Sequence, residues 1–227
     1  FYKTDGDKAK KGTAIFMKIS QNWKDYTIIA TGDGYKLERW KDVYLLRPDP
    51  QVIWSPQIDL FAYPKLNAYY KRSEKGGGGW KILKPIPDEW NISYDTLSLQ
   101  FKIKPMGFKH TGLFPEQAVN WDWFSSIIKD ALQNDPTHEI KVLNLFAYTG
   151  GATLAARAAG AEVTHVDSVK QVVTWSRENM ESSSLDSIRW IVEDALKFVQ
   201  REVRRGNRYN GIILDPPAYG RGANGEK

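Results

Sequence analysis

The second half of this chain is predicted to fold as an open α/β sheet with a nucleotide-type site at one edge, and three observations predict it. An apolar run at 140–145, dominated by Ile140, Val142, Leu143 and Leu145, is short enough for a strand covered on both faces. It stops at a Thr-Gly-Gly turn (149–151) that leads into a helical pattern at 152–159. A second apolar run, 163–166, ends in Asp167, 17 residues after Gly150, close to the usual separation between a glycine turn and a ribose-binding carboxylate.

Two more runs extend the pattern. Residues 188–192 end in Glu193 and Asp194, and residues 212–214 end in Asp-Pro-Pro-Ala-Tyr at 215–219. Polar or glycine residues at four successive strand tips belong on one edge of a parallel sheet, where open α/β sheets bind ligands. Glycine at the first bend lets the backbone approach a ligand, and the N–H groups of the following helix favour a polar or anionic group. Helices are expected after each tip, at 170–180 with Ser168 as N-cap, and at 195–205 with Leu196, Val199 and Val203 inward and Gly206 as the stop.

Taken together, Asn-Leu-Phe-Ala-Tyr-Thr-Gly at 144–150, Asp167, Asp194 and Asp-Pro-Pro-Ala-Tyr at 215–219 resemble motifs I to IV of class I S-adenosylmethionine-dependent methyltransferases, the bacterial 23S rRNA methyltransferase-like family most of all. Gly-Tyr-Lys-Leu-Glu-Arg at 34–39 and Arg-Pro-Asp-Pro at 47–50 are similar to that family too, so the resemblance covers roughly residues 25–227. It implies a Rossmann-like sheet preceded by a small β-rich domain. It also implies S-adenosylmethionine as cofactor, held by Asn144, Phe146, Ala147, Tyr148, Thr149, Gly150, Asp167, Ser168, Asp194 and Ala195, with Phe114 and Gln117 of the connector at its methionine end. One departure is the motif I turn, where Phe146 and Tyr148 stand in place of two of three alternating glycines. Asp194 has a second reading as a plain helix cap, and the two roles are compatible.

The 227 residues, 41% of them hydrophobic, suffice for one large or two modest domains. With 32 Lys and Arg against 27 Asp and Glu, the net charge of +5 suits a polyanionic partner without requiring one. The absence of cysteine excludes disulfides, thiolate metal sites and a cysteine nucleophile within these residues, and no metal is expected. No run is long enough to span a bilayer, so a cytoplasmic location is the default expectation. The chain starts at Phe1 and stops at Lys227 after four core strands, whereas the resembled fold has seven; the expectation is that C-terminal strands are missing from it.

Three units are expected. Residues 1–19 form a polar, lysine-rich tail. Residues 20–108 form a β-rich domain for RNA or another substrate, beginning with an antiparallel meander (26–30, 35–40, 43–47) turned at Thr-Gly-Asp-Gly 31–34. Within it, 71–79 reads as a charged, glycine-rich mobile loop, and 97–104 alternates Leu97, Leu99, Phe101 and Ile103 with polar residues as a half-buried strand. Residues 109–227 form the cofactor domain, incomplete at its C-terminus, entered through a helix with Trp121, Phe124, Ile127, Ile128 and Leu132 on its apolar side. His110, His138 and His165 show no partner in sequence and are read as incidental.

The function expected is methylation of a nucleobase of ribosomal RNA, of the 23S class. Asp215 and Pro216 would orient the acceptor atom and Tyr219 would stack on the extruded base. The acceptor, an exocyclic nitrogen, ring nitrogen or ring carbon, stays open. So do two rivals: a catalytically idle RNA-binding or assembly protein, and a nicotinamide-dependent oxidoreductase, which leaves Asp-Pro-Pro-Ala-Tyr without a reason.

Overall fold

A computed structural model describes residues 19–73, 77–105 and 109–216 of the chain. The N-terminal part is a five-stranded sheet: β1 (Tyr26–Gly32), β2 (Tyr35–Trp40), β3 (Val43–Pro48), β4 (Ala68–Arg72) and β5 (Gly78–Ile82), in that spatial order. The expected three-strand meander is present, with β1, β2 and β3 antiparallel, and β4 joins β3 in parallel after a long crossover. The expected charged loop is in part a hairpin: Lys71 and Arg72 lie in β4, and Gly78 and Gly79 lie in β5 opposite them. Gly78 faces Tyr70 too closely for any side chain, so a glycine taken for loop flexibility serves close strand approach.

A second hairpin, β6 (Trp90–Tyr94) and β7 (Leu99–Ile103), packs on the cofactor half. The expected strand at 97–104 is β7, with Leu97 in a 3-10 turn ahead of it. Its outer backbone groups meet helix side chains: Ser183 accepts from Gln100 N–H at 2.9 Å, and Asn179 accepts from Lys102 N–H at 2.8 Å. The Trp175 indole donates to Lys102 O at 3.1 Å, so this edge is closed without another strand.

The C-terminal part alternates α1 (Ala118–Asn134), β8 (Lys141–Leu145), α2 (Gly151–Ala158), β9 (Glu162–Asp167), α3 (Lys170–Ser182), β10 (Ile188–Val192), α4 (Ala195–Arg205) and β11 (Gly211–Leu214). The four strands are all parallel, in the order β10-β9-β8-β11. Order reverses between β8 and β11, which makes the crevice at their C-terminal ends the topological switch point. One buried cluster runs from Trp23, Tyr26 and Trp40 through Phe101 and Trp121 to Leu154 and Ile188, so both halves of the chain share a core.

Two expected faces are corrected. In α4 the buried residues are Ala195, Phe198 and Glu202, while Leu196 and Val203 are 66% and 72% exposed. Glu202 turns inward because four donors surround it, and the helix rotates accordingly. In α1, Trp121 and Ile128 are buried, but Ile127 is exposed with Trp123, Ile212 and Leu214 along a groove of about 710 Å³. Among the described residues, β11 pairs with β8 alone.

Candidate active site

The turn after β8 carries the site. Phe146, Tyr148 and Gly150 have φ of 54°, 50° and 89°, so every second residue is left-handed. The backbone is that of an alternating-glycine turn, with side chains at two of the positions. Non-glycine residues there are strained by about 1–2 kcal/mol each, and the strain persists only under surrounding restraint. The restraint is visible: Ala147 N–H donates to Val166 O at 3.1 Å, Tyr148 N–H to Asp167 Oδ2 at 2.9 Å, and Asn179 Nδ2 to Thr149 O at 2.9 Å. At Gly150 an added Cβ would lie 3.2 Å from Ser176 Cβ as well as in the disfavoured region.

Below the turn, polar side chains from β8, α2, β9 and α3 form a directed chain. Asn144 Nδ2 donates to Thr153 Oγ1 at 2.9 Å, and Thr153 Oγ1 lies 2.9 Å from His165 Nδ1. His165 Nε2 stands 3.5 Å from Ser176 Oγ, which donates to Tyr148 O at 2.7 Å. A neutral His165 accepting at Nδ1 gives every link a donor and an acceptor, and burial, followed by the Arg177 charge, lowers its pKa to about 3. His165 therefore has a place that sequence reasoning missed; its signal was a polar residue inside an otherwise covered strand.

Asp167 accepts at both oxygens, Oδ2 from Tyr148 N–H and Oδ1 from Val169 N–H at 3.0 Å, and stays half-buried at the tip of β9 with acceptor capacity left. Ser168 is exposed and does not cap α3, whose N-cap is Val169 with no side-chain bond; the Asp167 carboxylate takes the local N–H first. Asp194 caps α4, accepting from Lys197 N–H at 2.9 Å, with Ala195 buried beneath it. Val169 and Val192, each about half exposed (48% and 50%), add an apolar surface at the tips of β9 and β10 that sequence reasoning also missed.

The connector closes over the turn. The Thr149 hydroxyl donates to Gly112 O, and Gly112 (φ 100°) lies so close to the Trp175 ring that a Cβ would overlap it. The Phe114 ring stands 5.4 Å from that of Tyr148, whose phenol is pushed up to about 12 by burial. Gln117 ends the 3-10 turn Pro115–Gln117, and its Oε1 accepts from Asn120 Nδ2 at 2.8 Å. On the far side, pairing of Leu214 with Leu145 sets Asp215 beside Phe146, both exposed, with Pro216 next to it. Tyr219 lies outside the described residues.

The structure thus gathers Phe114, Phe146, Tyr148, Gly150, Asp167, Ser168, Asp194 and Asp215 along the C-terminal edge of one parallel sheet. The side chains of Asn144, Ala147 and Thr149 point into the fold behind it, where Asn144 and Thr149 are spent on hydrogen bonds.

Residues 119–224 match the family described as conserved hypothetical protein 95. Ribosomal RNA large subunit methyltransferase K of Neisseria meningitidis is 32% identical over 198 residues, covering 83% of this chain and 53% of that protein. Ribosomal RNA large subunit methyltransferase K/L of Shewanella frigidimarina is 30% identical over 200 residues, 86% of this chain and 25% of that protein. The chain therefore spans between a quarter and about half the length of these curated relatives. Among solved structures, a SAM-dependent methyltransferase from Agrobacterium tumefaciens superposes with a TM-score of 0.81 at 40% identity, over 90% of this chain and 64% of that one. By fold and by sequence together, this chain is similar to the class I S-adenosylmethionine-dependent methyltransferases.

Proposed function

We propose that this chain is the cofactor-binding and base-facing part of an enzyme that transfers the methyl group of S-adenosylmethionine to a nucleobase of ribosomal RNA, 23S rRNA in particular. The observation that carries the reading is the meeting of the Gly150 turn, Asp167 and Asp215 at the switch point of a parallel sheet. The large-subunit rRNA methyltransferases it resembles support the substrate class.

The residues suit the cofactor. Asp167 offers acceptors to a ribose diol. The N-terminus of α2, entered at Gly150 without a side-chain cap, suits a carboxylate. Phe114, Phe146, Val169 and Val192 give apolar cover, and Asp194 keeps an exposed carboxylate beside them. Asn144, Ala147 and Thr149 serve through the backbone they hold in place, and Ser168, Ala195 and Gln117 are the remaining neighbours in this reading.

When bound, S-adenosylmethionine supplies an electrophilic sulfonium methyl. The chain's contribution is positioning. Where the acceptor is an exocyclic amine, the Asp215 carboxylate and Pro216 carbonyl accept its N–H bonds and aim its lone pair, and Tyr219 is the proposed stacking partner. Residues 20–108 form the substrate-side unit and 109–227 the cofactor-side unit, as the strand tips on one and the basic residues on the other suggest.

The test is titration with S-adenosylhomocysteine and methyl transfer to ribosomal RNA, both in the full-length protein. Asp167→Ala lowers cofactor affinity about 10- to 100-fold, the loss of a charge-assisted hydrogen bond. Asp215→Ala leaves that affinity unchanged and lowers transfer. Wild-type cofactor affinity in the first variant, or wild-type transfer in the second, overturns the assignment.

A further inference from the structure

Lys109, where the connector leaves the β-rich half, is a half-buried cation without a carboxylate within ion-pair distance among the described residues. Among the described residues its Nζ reaches Pro48 O, at 3.4 Å, and its carbonyl accepts from Arg47 Nη1 at 3.2 Å. The neighbouring cations are accounted for unevenly. Arg47 is spent on Glu38, at 2.6 and 2.7 Å, and Lys36 is shared between Glu38 at 3.8 Å and Asp49 at 3.6 Å. Arg72, exposed at the end of β4, has no ion pair among the described residues. Burial first, then the charge of Arg72, holds the Lys109 amine below the ordinary lysine range, with Lys36 and Arg47 adding to the effect and Asp49 opposing it. A like-charged group this short of counterions favours an anion from outside.

Rings continue the line toward the switch point. His110 stands 5.3 Å from Phe114, and Phe114 stands 5.4 Å from Tyr148 of the turn. Burial, with Lys109, Arg47 and Lys36 behind it, lowers the His110 pKa to about 4, so the imidazole is a neutral stacking surface at pH 7. Lys36 also opens on a groove of about 820 Å³ lined by Tyr26, Trp54 and Glu116, with the Trp54 indole half exposed. Cations followed by flat rings match the alternation of phosphate and base along a single strand, which a free anion or an acidic peptide does not offer.

We propose that Lys109 and Arg72, with Lys36 beside them, bind a phosphodiester of the substrate strand next to the target nucleotide, and that His110 supports the adjoining base. The subsite rests on the reading of this chain as an RNA base methyltransferase, and it names the residues that hold the strand rather than the base.

Binding of the full-length protein to single-stranded polyuridylate across a salt series tests it, with S-adenosylhomocysteine affinity measured in parallel. Lys109→Gln and Arg72→Gln each lower RNA affinity several-fold and reduce the slope of log affinity against log salt by about 0.7, the contribution of one phosphate contact on a single strand. Lys109→Arg keeps the wild-type slope, which separates charge from folding. His110→Ala lowers affinity with the slope unchanged, and Lys129→Gln, on the exposed face of α1, changes neither. Cofactor affinity stays at the wild-type value throughout. Wild-type slopes in both Lys109→Gln and Arg72→Gln overturn the subsite while leaving the methyltransferase reading intact. A wild-type protein that binds no S-adenosylhomocysteine sinks that reading, whatever the slopes.

Discussion

Asp167 accepts the backbone N–H of Tyr148 at 2.9 Å, so the carboxylate proposed for the ribose also pins a residue held at φ 50°. Its other oxygen takes Val169 N–H. Asp167→Ala leaves both donors without this partner even in the ligand-free protein, at a cost of about 1–3 kcal/mol. Asp167→Asn keeps one acceptor oxygen and costs about half as much. Urea unfolding of the ligand-free full-length protein measures both. A wild-type midpoint in Asp167→Ala would show that the turn does not depend on the carboxylate. It follows that part of any affinity lost in Asp167→Ala belongs to the turn, and that Asp167→Asn reports more directly on the ribose contact.

The same turn predicts how two of its left-handed positions respond to substitution. Phe146 is left-handed and 38% exposed, so Phe146→Gly relieves backbone strain and gives up the covered part of the ring. Phe146→Ala gives up the same contacts and keeps the strain, so Phe146→Gly is expected to be the more stable of the two by about 1 kcal/mol. Gly150→Ala adds a Cβ at φ 89° against Ser176 and is expected to destabilise by more than about 1 kcal/mol. A Phe146→Gly variant no more stable than Phe146→Ala, or a wild-type midpoint in Gly150→Ala, both measured by denaturant unfolding, would mean that left-handed geometry is not what selects glycine in this turn.

How far the sequence carried the fold follows from where the determining contacts lie. The four parallel strands, their tips and the glycine turn were legible because each is written in a local run of apolar residues ended by Gly150, Asp167, Asp194 or Asp215. Residues 68–72 and 78–82 were not read as strands, since their short runs are dominated by Tyr70, Lys71, Arg72 and glycines, and pairing with β3 settles their state. The inward face of α4 differs from its apolar periodicity for a related reason. Periodicity in Leu196, Val199 and Val203 outranked Glu202 on paper, whereas the donors that bury Glu202 come from Arg189, Asn207 and Tyr209, on neighbouring segments. His165 looks incidental in the sequence because its partners, Thr153 and Ser176, are 12 and 11 residues away. In the site, residue types at strand tips were readable, but which side chains face outward was not, because that depends on the pairing of Leu214 with Leu145 and on the path of the connector.

Glu202 gives a pH dependence with a definite sign. It is 3% exposed and accepts from Tyr209 Oη at 2.6 Å, Asn207 Nδ2 at 2.8 Å, Arg205 Nη1 at 3.2 Å and Arg189 Nη1 at 3.4 Å. Burial alone would raise its pKa, but the hydrogen bonds from Tyr209, Asn207 and Arg205 and the Arg189 charge outweigh it and hold the carboxyl at about 2, against 4.5 for an unperturbed glutamate. The unfolded chain thus binds a proton more readily than the native one between these values. Stability from this group is complete above about pH 4.5 and is lost as the pH falls toward 2. The difference corresponds to roughly 3 kcal/mol. Glu202→Gln cannot lose a proton and places an amide against the Arg189 and Arg205 guanidinium groups, so it is less stable than wild type near neutrality. Urea unfolding at a series of pH values between 7 and 3 should show the gap between the two proteins constant down to about pH 4.5 and narrowing below it. A gap that stays the same down to pH 3 would mean that Glu202 acts through packing alone, and that the charge of the carboxylate does not hold α4 against the start of β11.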